Sequence, residues 1–541
     1  MAILPIRDLG SAGVITDTSP YNIPINAFSR GFNVRFDEGK VLRAPIFRNI
    51  TSLGSLGGGF NPRFAYGIVP SVGFDTVVIV SDDWDIREYA NGSLANVTGS
   101  ISGFSDPRPY TGTSLADVTY INRSDRVPVY RGPAGINFAD LPNWDANWRA
   151  SSLRSYGDFL IALNMVEGAT NYPSRVRYSN LALAGSVPDS WDAADTTKSA
   201  GFNDLVQIKT EIVDGATLGS NFIIYASDQV WLMEFVGGAF IFNFRKLFTD
   251  AGVINQNCAV EVEGKHFVFG AFDIYTHDGT TKQSICDERV KNFIFSTLNN
   301  QAADVCFVHH NPVLNEIYFC YQSGDQYTHF PDANRCNRAA VYNYRNNTWS
   351  FMDIPNVSSG TIANVNSVST YALSTGTYAL TGGTYYQQQD SYDRHVLMVG
   401  EALTANNITS DKLYGLDLSD AGQIAFQLDV EATKPVYLER TGIDLDEGGL
   451  AASQYVVVTR IFPQADTQNS SNTLLNFEFG GSDIPRATPT YSSLVVYDIA
   501  TDHKVDSRAA GRYLSYRMTI GDNKDFELSG FDLDITPTGA R

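Results

Sequence analysis

A chain of 541 residues with 43% hydrophobic and only 18% charged residues can bury a sizeable core and is too apolar to stay disordered. Its net charge of −20 excludes the broad basic surface with which proteins grip phosphate backbones. Aromatics at 12%, with 45 Gly and 21 Pro, argue against a helical bundle and for short strands joined by many turns.

The start, Met1–Asp8, lacks a basic segment followed by a long apolar core, so no secretory signal is expected. No apolar run reaches spanning length, so no stable membrane insertion is expected. Five cysteines, Cys258, Cys286, Cys306, Cys320 and Cys336, are odd in number and show no C-x-x-C spacing. They suit synthesis in a reducing cytoplasm better than a disulfide framework.

Residues 1–55 read as an N-terminal extended segment and hairpin, expected to pack on the C-terminal domain. Prolines Pro20 and Pro24 push their predecessors out of the helical region. Phe32–Phe36 alternates as a strand, Asp37-Glu38-Gly39-Lys40 turns, and Val41–Arg43 returns. A Gly/Ser-rich joint follows at 52–59.

From 56 to 425 a pattern recurs: a buried strand, then a strand carrying Tyr or Trp, then a polar turn. Val77–Val80 precedes Ile86–Tyr89, and Phe222–Tyr225 precedes Val230-Trp231. The marker aromatics Tyr89, Tyr130, Tyr178, Trp231, Tyr275, Tyr342 and Tyr414 lie 41, 48, 53, 44, 67 and 72 residues apart. Short strands repeating at roughly 40–50 residues predict propeller blades, each a small sheet that must stack on its neighbours to bury its faces. The expected fold is all-β: a β-propeller of about six to seven blades, with insertions at Tyr321–Arg338 and Ser367–Gln389 in the two long intervals.

Beyond 425 the markers stop and strands lengthen, predicting a β-sandwich-like platform domain over 426–541. Tyr513–Ile520 alternates cleanly. In Phe526–Ile535 the apolar parity switches between Leu528 and Phe531. One extra residue would change the phase of a period-2 pattern in this way, which places a β-bulge at Ser529-Gly530.

Residues that could carry chemistry do not converge. On a strand, His309 faces away from Cys306 and His310, and those two lie roughly 13 Å apart, too far to share an ion. Cys306 and Cys320 are expected as free thiols opposite each other on a hairpin centred on Val313. Asp444–Gly448 starts like a calcium loop but lacks the remaining ligands and the closing Glu. The chain has no G-x-S-x-G elbow. The pair Asp82-Asp83 could serve a glycosidase only if it flanked one bond. Tyr225–Trp231 is only faintly like the Asp-box turn of sialidases. Gly57–Gly59 and Gly237-Gly238 read as turns, and Arg245-Lys246 among phenylalanines reads as surface or inter-subunit pairing. No catalytic, cofactor-binding or metal-binding residue is assigned.

The first fifty residues resemble the N-termini of nozzle (tail tubular) proteins of short-tailed bacteriophages. The stretch is Gly13-Val14-Ile15, Tyr21 and the prolines, then Phe28…Gly31-Phe32-Asn33-Val34-Arg35-Phe36…Glu38-Gly39-Lys40…Arg43-Ala44-Pro45. Gly511–Arg517, Leu528–Asp532 and Gly539–Arg541 are similar to the ends of related tail stabilisation proteins. The resemblance implies a virion component without catalytic residues, assembled in the host cytoplasm. It implies a homohexameric ring below the portal and adaptor protein, docking tail fibres or tailspikes. Double-stranded DNA would pass through its lumen without sequence-specific contact. With a net charge of −20, the lumen is expected to be predominantly acidic, because every Lys or Arg contact would add DNA affinity. The alternative from another class is a glycan-active β-propeller enzyme, depolymerase or sialidase-like.

Overall fold

A computed structural model describes all residues except 1, 53–59, 71–74, 91, 239, 325–334, 364–394, 403–409, 418–435, 445–453, 468–472, 521–523 and 541. The expected insertion at Ser367–Gln389, Gly57–Gly59 and most of Asp444–Gly448 lie outside the described residues, as does most of the Tyr321–Arg338 loop.

The described residues are nearly all-β, and the middle of the chain is a β-propeller. Five consecutive four-stranded antiparallel meanders form blades one to five. They begin with Pro62–Ile68, Thr111–Leu115, Trp148–Tyr156, Ile212–Leu218 and Ala259–Val262. The sixth blade is Phe307–Asn311, Glu316–Tyr321, Cys336–Asn343 and the first part of the long strand Thr348–Ala363. That strand then leaves its sheet. Its second part pairs with His395–Ala402, which pairs with Ser410–Asp417, which pairs with Ile46–Ser52. The seventh blade is therefore composite, its outer strand supplied from the N-terminal side. Ile46–Ser52 lies inside the range expected to pack on the C-terminal domain, so the chain enters the propeller earlier than the sequence pattern indicated.

Each marker aromatic sits on the third strand of a different blade, from Tyr89 on Ile86–Ala90 to Tyr414 on Ser410–Asp417. Most are buried between blades, where a flat ring covers the pleated face of its neighbour. The seam between blades seven and one closes through the Thr361 hydroxyl, which accepts the Gly67 N–H at 2.8 Å, and through Ser358, which donates to the Pro62 carbonyl at 3.3 Å. A Cβ on Gly67 would lie 2.3 Å from the Ile362 carbonyl oxygen. Gly67→Ala should therefore destabilise the protein by about 1–3 kcal/mol, the usual cost of overpacking, as read by chemical denaturation.

The platform is two packed sheets. One runs Val34–Asp37, Lys40–Arg43, Glu527–Ala540, Gln454–Asp466, Val505–Gly511, with Ala2–Arg7 also on Glu527–Ala540. The other runs Arg30–Phe32, Val436–Ile443, Tyr513–Ile520, Leu474–Ser482, and continues into blade six where Phe32 pairs with Phe351. Phe28, Phe36, Tyr516 and Phe531 fill the space between them, the last two edge to face at 4.9 Å. The parity switch is a bulge: Gln464 pairs with Gly530 and Ala465 with Leu528, leaving Ser529 unpaired. That extra residue keeps Phe526, Leu528, Phe531, Leu533 and Ile535 all buried. The predicted hairpin turns at Glu38-Gly39, both with positive φ (48° and 77°), as a two-residue turn requires.

Candidate functional site

Among the places where polar side chains of the described residues meet are the joint of the platform with the propeller, the propeller axis, and the seam between blades four and five.

At the joint, Asn33 has φ 59°, a left-handed backbone that Asn tolerates. Its side chain donates to Asp353 Oδ2 at 3.2 Å and accepts the Asp353 N–H at 2.9 Å. Two residues on, Arg35 Nε donates to Glu316 Oε1 at 3.1 Å, and the Tyr318 hydroxyl donates to Oε2 at 2.7 Å. Burial pushes the Glu316 carboxyl up, only partly countered by Arg35. Asp17 accepts the N–H groups of Asn292 and Phe293 at 2.7 and 3.3 Å, at the start of the short helix Lys291–Thr297. The N-terminal segment thus holds blade six and the connection leading into it.

Around the axis, first strands of the blades line a cavity of about 370 Å³, and Ser358–Thr361 complete the ring. At its wall Arg154 Nε and Nη2 donate to Asp214 Oδ1 and Oδ2 at 2.9 and 2.5 Å. Nη2 also reaches Asn257 Oδ1 at 2.8 Å, and Nη1 the Gly112 carbonyl at 3.1 Å. Asp214 also accepts from Ser152 and from the Asn257 N–H. One ion pair therefore ties blades two, three, four and five. Burial pushes the Asp214 carboxyl up, but Arg154 outweighs it and the group ionises below its ordinary range. Neither residue was singled out in the sequence. They lie sixty positions apart, and no local spacing announces such a pair.

Between blades four and five, Tyr225 sits between two buried histidines. His266 Nε2 lies 2.6 Å from the Thr217 carbonyl and must donate to it, so its Nδ1 accepts the Tyr225 hydroxyl at 2.6 Å. His277 Nε2 then donates to the Tyr225 oxygen at 2.7 Å, while its Nδ1 accepts the Gly279 N–H at 3.2 Å. Both rings are held neutral. Burial lowers His266, and burial with the neighbouring His266 takes His277 down to about 3.

The residues weighed for chemistry lie apart. Phe307, not Cys306, pairs with Cys320, so the expected cross-strand cysteine pair is one residue out of register. Asn311 and Glu316 close a four-residue loop whose centre falls between Val313 and Leu314 rather than on Val313. All five thiols are free and buried, and burial raises Cys306 to about 12. His309 is buried, its ring against Gly360 of the seventh blade, and its face is shared by Phe307 and Asn311. Among the described residues no group of three His, Cys, Asp or Glu side chains could hold a metal ion. Asp82 accepts from Asn61 and Ser105, and Asp83 from Ser81; both serve one turn. Asp228 accepts from Thr210 in the turn ending Asn221–Ala226. Gly237 and Gly238 both have positive φ in the tip of a hairpin. Arg245 is exposed, and Lys246 lies over the Trp231 ring at 5.5 Å. Among the described residues no helix is long and apolar enough to cross a membrane.

No family model matches the chain, and no curated protein matches it. Among solved structures, the WD40 repeats of RRP9 align with 69% of this chain and 99% of their own. The identity is 8% and the TM-score 0.34, so the propeller assignment rests on the strand order itself.

Proposed function

We propose that this chain is a structural subunit of a short-tailed phage tail, a nozzle forming part of the tube below the portal and adaptor. One observation carries the reading. The two ends that resemble nozzle and tail stabilisation proteins are folded as a single body. Leu42 and Val41 pair with Glu527 and Leu528, and Arg30–Phe32 and Tyr513–Ile520 flank the same strand, Val436–Ile443. A motif split between chain ends and reunited in one two-sheet body is what a shared platform would require.

In this reading the work is electrostatics and closure rather than bond chemistry. The propeller's own axis is a cavity of about 370 Å³ with the Arg154–Asp214 pair in its wall, with no room for a duplex. The DNA path is instead a bore enclosed by several copies. A net charge of −20 favours acidic walls, which keep the duplex mobile. Repulsion is screened beyond about 8 Å at physiological salt, so the bore must be little wider than the duplex. Native mass spectrometry and negative-stain imaging of purified protein, alone and with its parent particle, test the proposal. Rings or tail-tip particles are expected, with Asp and Glu outnumbering Lys and Arg along the bore. Isolated monomers or trimers that never join a particle would favour a glycan-active enzyme.

A further inference from the structure

The outermost strands of blades one, two, three and five are short: Ser93–Asn96, Ala139–Asp140, Gly201–Asp204 and Lys282–Ser284 have two to four residues. Short edges are the usual protection against unwanted strand pairing. The outer strand of blade six is covered by Arg30–Phe32. Ile46–Ser52, outermost in blade seven, has seven residues, leads straight out of the platform and carries one cation, Arg48. Blade four departs from this pattern. Its last strand, Phe242–Thr249, has eight residues, and among the described residues nothing pairs with its outer edge. Pairing on its inner side is regular from Phe242 to Lys246 and bulges only beyond. That half presents its outward N–H and C=O groups in strand geometry.

We propose that this edge is a docking site for an extended acidic segment of a partner protein, added as a fifth strand of blade four. Charge selects the occupant. Arg245 and Lys246 stand side by side on the edge strand, Arg245 exposed and Lys246 half-buried over the Trp231 ring. Glu234 on the neighbouring strand accepts from the Asn243 side chain at 2.7 Å. In a chain of net charge −20, two adjacent cations on one open edge are a local inversion of sign. An antiparallel second copy of the same strand would bring Arg245 and Lys246 close to their own counterparts, and like charges across a ladder are destabilising. Two adjacent Asp or Glu side chains, one on each face of the added strand, would instead complement them, while main-chain hydrogen bonds supply affinity. The entry end carries an apolar anchor. Phe235, Val236 and Phe240 are 58%, 52% and 81% exposed around the Gly237-Gly238 turn. The segment should therefore place an apolar residue where it meets Phe240. The inference depends on the edge alone and does not require the nozzle reading.

The test uses the full chain and two synthetic peptides rich in valine, one with two adjacent glutamates at its centre, the other with two adjacent lysines there, each ending in phenylalanine. Fluorescence anisotropy should show binding of the glutamate peptide only, weakened by added salt. Amide exchange should slow at residues 242–246 and not at the short outer strands. The variant R245E/K246E should reverse the preference by at least about tenfold, and V236S/F240S should weaken binding of the glutamate peptide without reversing the preference. No binding of the glutamate peptide, equal binding of the two, protection elsewhere, or an unchanged preference in R245E/K246E would each overturn the proposal. Ring formation by the same variants reports separately on the nozzle reading.

Discussion

Arg154→Met should destabilise the protein by about 3–5 kcal/mol, the cost typical of removing one partner from a buried ion pair. Methionine keeps much of the side-chain volume, so the loss reports on charge and hydrogen bonding rather than on a cavity. Arg154 makes four hydrogen bonds, to Asp214 twice, to Asn257 and to the Gly112 carbonyl. Without it, Asp214 stays buried, with Ser152 and two backbone N–H groups as its remaining donors. The carboxylate must then stay charged without a cation or take up a proton. Both outcomes erode the tie between blades three, four and five. The double variant R154M/D214N should recover part of the loss, because a neutral amide leaves no stranded charge. Equilibrium denaturation of both single variants and the double variant gives the coupling directly. A loss below about 1 kcal/mol for R154M would show that the pair is as weak as an exposed one.

The blades were legible because their signal is local. Each third strand needs a flat ring to cover the neighbouring blade, so the seven markers from Tyr89 to Tyr414 fell one to a blade. The bulge at Ser529 was legible for a similar reason, since one inserted residue rewrites a period-2 pattern. Composite elements were not legible. Ile46–Ser52 pairs with Ser410–Asp417, and Thr348–Ala363 serves two blades without any break in its strand. Neither fact leaves a mark within a short window of sequence. The joint was half legible: Asn33 and Arg35 stood in the resembling segment, but Asp353 and Glu316, which they grip, lie in the repeat. The cysteine register missed by one because turn chemistry set it. Asn311 accepts the N–H groups of Val313 and Leu314, and Asn315 takes φ 56°, which fixes a four-residue loop where an odd-length one was assumed.

Stability should fall steeply between pH 6.5 and 5, well above the range in which carboxylates protonate. The cause is histidine buried in neutral form. His277 and His309 are both lowered to about 3, chiefly by burial, and His266 and His310 are lowered for the same reason. The sign follows from proton counting. In the unfolded chain each imidazole takes a proton near its ordinary value of about 6.5, whereas in the folded protein it does not until far lower pH. The contribution is complete above the unfolded value and is lost as pH falls toward the folded one. At pH 5 the loss is about 2 kcal/mol for each of His277 and His309. Asp214, whose folded value is depressed, loses stability only below about pH 4 and so leaves this window clear. Glu316, raised by burial, works the other way and softens the acid limb slightly. The geometry agrees, since a proton on His266 Nδ1 would displace the Tyr225 hydroxyl it accepts, and that hydroxyl joins both rings. Urea denaturation at pH 7.5, 6.5, 5.5 and 5 measures the slope. His309→Leu removes one titrating ring while keeping an apolar body against Gly360, and should make the loss at pH 5 smaller by about 2 kcal/mol. A stability curve flat from pH 7.5 to 5, or a slope unchanged in His309→Leu, would mean that these rings meet water and are not sealed between blades.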